Sequence, residues 1–391
     1  MLNHAPSTTS AEMVDRVLDE SAVARFRTAT GDGSGLPNEC YTSPEWLKAE
    51  NERIFARTWM LAGFCRDVPE PGDVSPVEMA GMPLIIVRDH DGMIRVFHNV
   101  CRHRGAVVVA QPCRRQSVLT CPYHSWVYGL DGSLRMRPHF FGGGRHDTDP
   151  GKDAPGLVPV RHAVWHDLVF VNISGDAPAF EDHWEPFARR TKDYDFGALN
   201  YAATLDFDVR GNWKLIYENF YDAYHVPTVH PKLEVFTPLD TRVAVDTEGP
   251  WFHNTSTIQE PQPGRGIGMP MYPGLDAEGQ RTEWYFHLFP TTAIQIWPDQ
   301  LAIFQLHALA PDRTMEHIHM YFVGDAATGD AYARHRQDVY DMWNELNTED
   351  FEIVENMQGA RSSPGFDGGV LSPYWDPATQ HFARLVTDFM H

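Results

Sequence analysis

The sequence predicts an α+β protein in which an all-β module precedes a larger region of helices and antiparallel strands. Three observations carry this. From about Leu61 the apolar runs are short and are broken by turn dipeptides such as Asp91-Gly92 and Asp131-Gly132. Beyond about residue 175, helical spacing over 184–194 and 326–359 alternates with strand-like stretches over 282–298 and 300–309. The length, 391 residues, accommodates two domains or three at most, at roughly 100 to 200 residues per domain.

Residues 1–40 are polar and read as an arm with one short helix near 11–26. Trp46, Ile54, Phe55 and Trp59, set among charges, predict a helix over 46–59, entered through a Ser43 cap and Pro44 in its first turn. Within the β module, 84–87, 93–98, 117–119 and 126–128 read as strands, with loops at 142–144 and 150–156 and an end near Val171. No internal repeat is visible.

Composition excludes several functions. With 32 Lys and Arg against 53 Asp and Glu, the net charge of −21 argues against nucleic acid or an anionic membrane as partner. No apolar run approaches the roughly 18 residues of a membrane span, and no secretory signal is visible, so the expected location is the cytoplasm. Five cysteines form no disulfide framework. Twenty histidines are unusual, and their clustering is the informative part.

Cys101-Arg-His103 and Cys121-Pro-Tyr-His124 give C-x-H, seventeen intervening residues, then C-x-x-H. Two thiolates and two imidazoles also suit a structural zinc, but zinc fingers commonly pair like ligands within one arm, and here each arm mixes them. The mixture fits a two-iron, two-sulfide cluster of the Rieske type, with both cysteines on one iron and both histidines on the other. Cys113, between the arms, has no partner at ligand spacing and reads as a free thiol, as do Cys40 and Cys65.

A second constellation follows Trp213. Trp213, Tyr217, Phe220 and Tyr224 recur at helical spacing and predict one buried face, with Asp222 and His225 three apart on the same helix. His225 and His230 are five apart, about 140° around an ideal helix, and cannot grip one ion unless the chain bends. Pro227 and Pro231 predict that bend, with the helix ending near His225. Two histidines and a carboxylate on one face make a non-haem ferrous oxygenase site; two ordinary core histidines are the competing reading. Over 346–357, helical spacing places Asp350 beside Leu346, Ile353, Val354 and Met357, towards the core, where a charge needs a partner. Glu352 points off that face and Glu349 ranks between.

Arg102, Arg104 and Gly105 on the first arm and Pro122 to Trp126 on the second resemble the Rieske domains of ring-hydroxylating oxygenases, and the Asp222-Ala-Tyr-His225-x4-His230 run resembles their iron motif. The chain is similar to the large, catalytic subunit of Rieske non-haem iron oxygenases. The resemblance implies an all-β Rieske [2Fe-2S] domain (59–172) inserted between an N-terminal arm (1–58) and a helix-grip catalytic domain with antiparallel sheet (173–391). It implies a cluster on Cys101, His103, Cys121 and His124, and mononuclear Fe(II) on His225, His230 and Asp350. It implies a homotrimer, and admits a small beta subunit. Asp222 would bridge His225 to His124 of the partner subunit, and Asn219 would lie beside the iron. Electrons would come from NAD(P)H through a separate reductase, with a ferredoxin as an optional carrier; the chain has no dinucleotide fingerprint of its own. The acidic surface would dock that reductase by complementary charge.

Trp251, Phe252, Trp284, Tyr285, Phe286, Phe289 and Trp297 crowd the catalytic half. Most read as sheet core, and the rest as a pocket for an arene or a cage for a quaternary ammonium group. The layout around Pro311 to Thr314 and Ser362 to Phe366 resembles choline, betaine and stachydrine enzymes, whereas the Asp222-Ala-Tyr-His225 spelling is that of arene dioxygenases. The sequence reading therefore expects hydroxylation of a small aromatic compound with O2, and keeps oxidative demethylation or hydroxylation of a quaternary amine as its alternative. A non-catalytic electron-transfer or zinc protein is the alternative of a different class. Some 200 residues beyond a Rieske domain, containing His225, His230 and Asp350, argue against it.

Overall fold

The computed structural model describes residues 9–27, 34–242 and 245–391. The expectations for 1–8 and 28–33, parts of the N-terminal arm, lie outside the described residues. The chain divides into two compact units: Met1–Glu50 with Glu181–His391, and Asn51–Phe180.

In the Asn51–Phe180 unit, three small antiparallel sheets are built from Met60–Phe64, Leu168–Asn172 and Arg161–Trp165; Val74–Met79, Met82–Arg88 and Ile94–His98; and Leu119–Thr120, Val127–Tyr128 and Leu134–Met136. Val74, Ile85, Val87, Phe97, Leu119, Tyr128 and Leu134 form a core shared by the second and third of these sheets. The turn joining Met79 to Met82 has both central residues, Ala80 and Gly81, at positive φ, as a two-residue hairpin matched to strand twist requires.

In the other unit, seven antiparallel strands run in the order Leu199–Val209, Arg313–Val323, Gln300–Ala310, Thr292–Trp297, Thr282–Leu288, Trp251–Thr257 and Asp246–Glu248. The helix Ala333–Ala360 packs Val339, Met342, Trp343 and Leu346 against Trp297, Phe304, Ile318, Met320 and Phe322 of this sheet. The helix Trp213–Tyr221 is fixed by a buried ion. The Glu50 carboxylate accepts from Trp46 Nε1 at 2.8 Å, Trp213 Nε1 at 2.9 Å and Lys214 Nζ at 2.6 Å, with Glu50 and Lys214 side chains both 0% exposed. A charge so buried survives only because every donor around it is aimed at it; removing one partner strands the other.

Several elements differ from expectation. The N-terminal helix is two helices, Ser10–Val17 and Glu20–Arg27, because Asp19 interrupts and caps the second through Ala22 N–H at 2.8 Å. The helix at Pro44 starts as expected, with Ser43 Oγ accepting from Trp46 N–H. It changes to a π-helical turn over Asn51–Phe55 and stops there, leaving Trp59 outside it. The 282–298 stretch is a hairpin, Thr282–Leu288 then Thr292–Trp297, since Pro290 has no N–H for a continuous ladder. The strands Leu199–Val209, Trp251–Thr257 and Arg313–Val323 were not anticipated.

Candidate active site

The two Cys-His arms are near-copies in backbone. Cys101 N–H donates to Ala106 O (2.8 Å) and Gly105 N–H to Cys101 O (3.0 Å); Cys121 N–H donates to Trp126 O (2.9 Å) and Ser125 N–H to Cys121 O (3.0 Å). Each loop closes through a left-handed fifth residue, Gly105 at φ 77° and Ser125 at φ 56°; the turn suits glycine and strains serine. Both cysteines are buried, whereas His103 is exposed and His124 half-buried. The two imidazoles meet edge to face at 4.5 Å, and His103 stacks on Trp126 at 4.8 Å and 4°. Tyr128 Oη accepts from Arg102 N–H at 3.0 Å and so has its own proton free to donate to Cys101 Sγ, 3.2 Å away. His124 Nδ1 is buried with no hydrogen-bond partner among the described residues. A buried, unpaired imidazole nitrogen beside two buried thiols is the donor set a [2Fe-2S] cluster of mixed ligation takes, so the residues fit that group.

The second centre is made by a broken helix. Asn212 caps Trp213–Tyr221 by accepting from Lys214 N–H at 3.0 Å, and Asp222 ends it in an extended conformation. The helix therefore stops four residues before His225, earlier than the prolines implied. Asp222 and His225 meet across the ensuing turn rather than along a helix face. Asp222 accepts from Tyr224 N–H at 2.6 Å and lies 3.1 Å from His225 Nδ1. Tyr224, past the helix end, is 60% exposed and stacks on Trp375, so it is not part of the buried face formed by Trp213 and Tyr217. The short helices Val226–Val229 and Pro231–Phe236 supply the bend that returns His230.

Asp350 reaches both histidines from the long helix. Its Oδ1 is 2.8 Å from His230 Nε2 and 3.4 Å from His225 Nε2, and one donor atom of each residue lies within 4.8 Å of the others. Glu349 accepts from His230 Nδ1 at 2.7 Å. The pattern is symmetrical: each Nδ1 is held by a carboxylate, Asp222 or Glu349, and each Nε2 is turned towards Asp350. Fixing the Nδ1 tautomer leaves the Nε2 lone pair for a metal, so this set too fits the group expected of it. Burial lowers the His225 pKa, but Asp222 and Asp350 outweigh it and push it up to about 9. Burial raises that of Asp350, but the imidazoles prevail and hold it below the usual carboxylate range. Of the neighbours expected to bury Asp350, Leu346 and Val354 are buried; Ile353 is 40% exposed, because the helix presents that side to solvent.

A pocket opens beside these three residues. Asn219, Phe220, Asp222, His225, His230 and Asp350 are among its lining residues, as are Arg242, Asn254, Tyr285, Gln295, Trp297, Phe304, Trp343 and Asn347. Of the seven aromatic residues singled out in the sequence, only Tyr285 and Trp297 line it. Trp251 and Phe286 pack on Phe187, Trp284 stacks on Phe286, and Phe289 lies against Trp213 and Phe382. Phe304 lies in a strand buried on both faces from Gln300 to Leu306, so alternation does not single it out, and Arg242 and Asn254 carry no sequence signal.

The model of the ring hydroxylating alpha subunit (catalytic domain) matches residues 189–391, more than half of the chain, and that of the Rieske [2Fe-2S] domain matches 58–141. The chain belongs to this family of Rieske oxygenase alpha subunits. The carnitine monooxygenase oxygenase subunit of Acinetobacter pittii is 27% identical over 341 residues, 85% of this chain and 86% of the relative. The chloroplastic choline monooxygenase of Spinacia oleracea is 27% identical over 362 residues, 90% and 77% of the two chains. The crystal structure of the quaternary ammonium Rieske monooxygenase CntA shares the fold, with a TM-score of 0.77 at 24% identity, covering 96% of this chain and 99% of that one. The protein is thus a terminal oxygenase that takes electrons from a separate reductase and carries a Rieske cluster and a mononuclear iron. The relatives act on quaternary amines, and they favour the sequence reading's alternative over its first choice of an aromatic substrate. Among the described residues no helix is long and apolar enough to cross a membrane.

Proposed function

We propose that this oxygenase acts on a quaternary amine, by oxidative N-demethylation or hydroxylation, and not on an arene. Supporting this are the two amine-oxidising relatives aligned over most of the chain, and a pocket lining that sets polar side chains, Arg242, Asn254, Gln295 and Asn347, among the aromatic ones. An unsubstituted arene carries no polar group for these side chains, whereas a quaternary amine with a further polar substituent does, and leaving them unpaired costs binding energy.

In this reading Cys101, His103, Cys121 and His124 hold the cluster in a 59–172 domain. His225, His230 and Asp350 hold the iron in a 173–391 domain, with 1–58 as the arm. The bound groups supply single electrons and dioxygen activation. The protein's part is positional. Asp222 and Glu349 fix the two imidazoles by accepting from Nδ1, and Asp350 provides the third, anionic donor. Asn219, 9% exposed at the pocket wall, offers a polar contact beside the site. Asp222, its side chain 31% exposed, is free to accept a further bond from His124 of the partner subunit in a cytoplasmic homotrimer. That bond would couple the proton state of one centre to that of the other.

The test is a screen for substrate-stimulated oxygen consumption with the reductase present, comparing quaternary amines with arenes and aromatic acids. Amines alone should stimulate uptake; stimulation by an arene without any by amines would overturn the proposal.

A further inference from the structure

The pocket lining carries buried polar groups that lack partners. Trp297 is 1% exposed, lines the pocket, and its Nε1 has no hydrogen-bond partner; Asn254 is 7% exposed, lines the pocket, and its Oδ1 has none. An indole N–H only donates, so a buried one without a partner asks for an acceptor. A carboxamide can turn over to present its N–H2 at the position of its oxygen. The third group is a cation. Arg242 lines the same pocket and is oriented by Thr237, whose carbonyl accepts from Nε at 3.3 Å and whose Oγ1 accepts from Nη2 at 2.7 Å. Among the described residues no carboxylate lies within 4.0 Å of Arg242. Glu283, the buried acid that feels its charge, has Oε2 already engaged by Tyr285 Oη and Ser256 Oγ.

These donors are joined to the histidine side by a run of rings. Phe220, two residues before Asp222, meets Phe304 at 5.1 Å; Phe304 meets Trp343 at 5.3 Å; Trp343 meets Trp297 at 5.5 Å; and Trp297 meets Phe236 at 5.5 Å, next to the Thr237 that holds Arg242. A molecule held in this pocket meets aromatic faces suited to a methylated ammonium and a cationic, donor-bearing group suited to an anion.

We propose that Arg242, with the Trp297 indole N–H and the Asn254 amide, forms a carboxylate subsite, so that the substrate is a zwitterion bearing both a quaternary ammonium and a carboxylate rather than an amino alcohol. This rests on the quaternary-amine reading above and narrows it. The test is calorimetric titration of the cluster- and iron-loaded protein, without reductant, using γ-butyrobetaine and the matching trimethylammonium butanol, which differ only at the acid end. Wild type should prefer the acid by at least about tenfold, the scale of a charge-assisted hydrogen bond. Arg242→Gln should bring that ratio to within about threefold of unity, with Arg242→Lys retaining part of it. Should Arg242→Gln fail to fold, judged by circular dichroism and the visible spectrum, Asn254→Ala should still narrow the ratio. Equal binding of acid and alcohol to wild type, or a preference that survives Arg242→Gln or, in its place, Asn254→Ala, would overturn the subsite. If neither probe binds wild type, the amine reading itself fails and the subsite falls with it; that outcome shows no binding rather than unselective binding.

Discussion

The residues assigned to the cluster stand on two loops twenty positions apart that repeat one hydrogen-bond pattern, whereas those assigned to the iron come from a helix break and from a second helix 120 positions beyond His230. A local site is specified by its own turns. A long-range site depends on everything that holds the two helices in register, from Glu50 beneath Trp213 to Asn347 and Leu346 beside Asp350. The first should therefore fail all at once when a donor is lost, and the second should be adjustable through residues that touch only the donors.

The sharpest break is Cys121→Ser. It removes a buried donor that is also part of the hydrophobic core, so the visible cluster spectrum and all reductase-driven turnover should vanish together. Retention of the spectrum would show that the loop pair does not hold the cluster. Next in size is Asp222→Asn. The cluster spectrum and iron content should persist while turnover falls about 10- to 100-fold, the usual cost of losing a carboxylate behind a ligand histidine. Unchanged turnover would remove Asp222 from the account. Glu349→Gln should weaken iron retention about tenfold in a chelator competition, through His230 alone, and leave the cluster untouched. Equal iron retention would mean that the Nδ1 contact orients nothing.

Legibility followed the same division. The residues assigned to the cluster stand out in the sequence because a C-x-H and C-x-x-H pair states its candidate ligands within each loop, and Gly105 marks one of the two left-handed turns. At the iron site the bend could be inferred from Pro227 and Pro231, but the place where the helix ends could not. The helix stops at Tyr221 because Asp222 leaves helical geometry to hold Tyr224 N–H and His225, a local side-chain turn that apolar spacing does not reveal. The helical spacing that turned Asp350 inward misplaced Ile353, since amphipathic spacing does not reveal how wide the covered stripe is. Arg242 and Asn254 were invisible because only the strand register and the turn after Phe236 bring them to one pocket.

The smallest effect concerns Glu316, fully buried behind Asn347, which donates to it at 2.6 Å. Burial pushes its pKa up to about 8 from an ordinary 4.5. Between those values the folded chain keeps a proton that the unfolded chain releases, so stability should fall as pH rises through that window. Glu316→Gln keeps the acceptor and removes the titration; the melting temperature of the variant should depend less on pH than that of wild type between about 5 and 8. Identical slopes would show that Glu316 does not titrate in that range.

The central claim is that oxygen chemistry depends on His225, His230 and Asp350 and that the cluster exists independently of them. It is tested most directly by substrate-dependent oxygen uptake in Asp350→Ala, measured on protein whose red-brown colour bleaches normally with dithionite. The account predicts an intact, reducible cluster and no substrate-dependent uptake; uptake at the wild-type rate would contradict it.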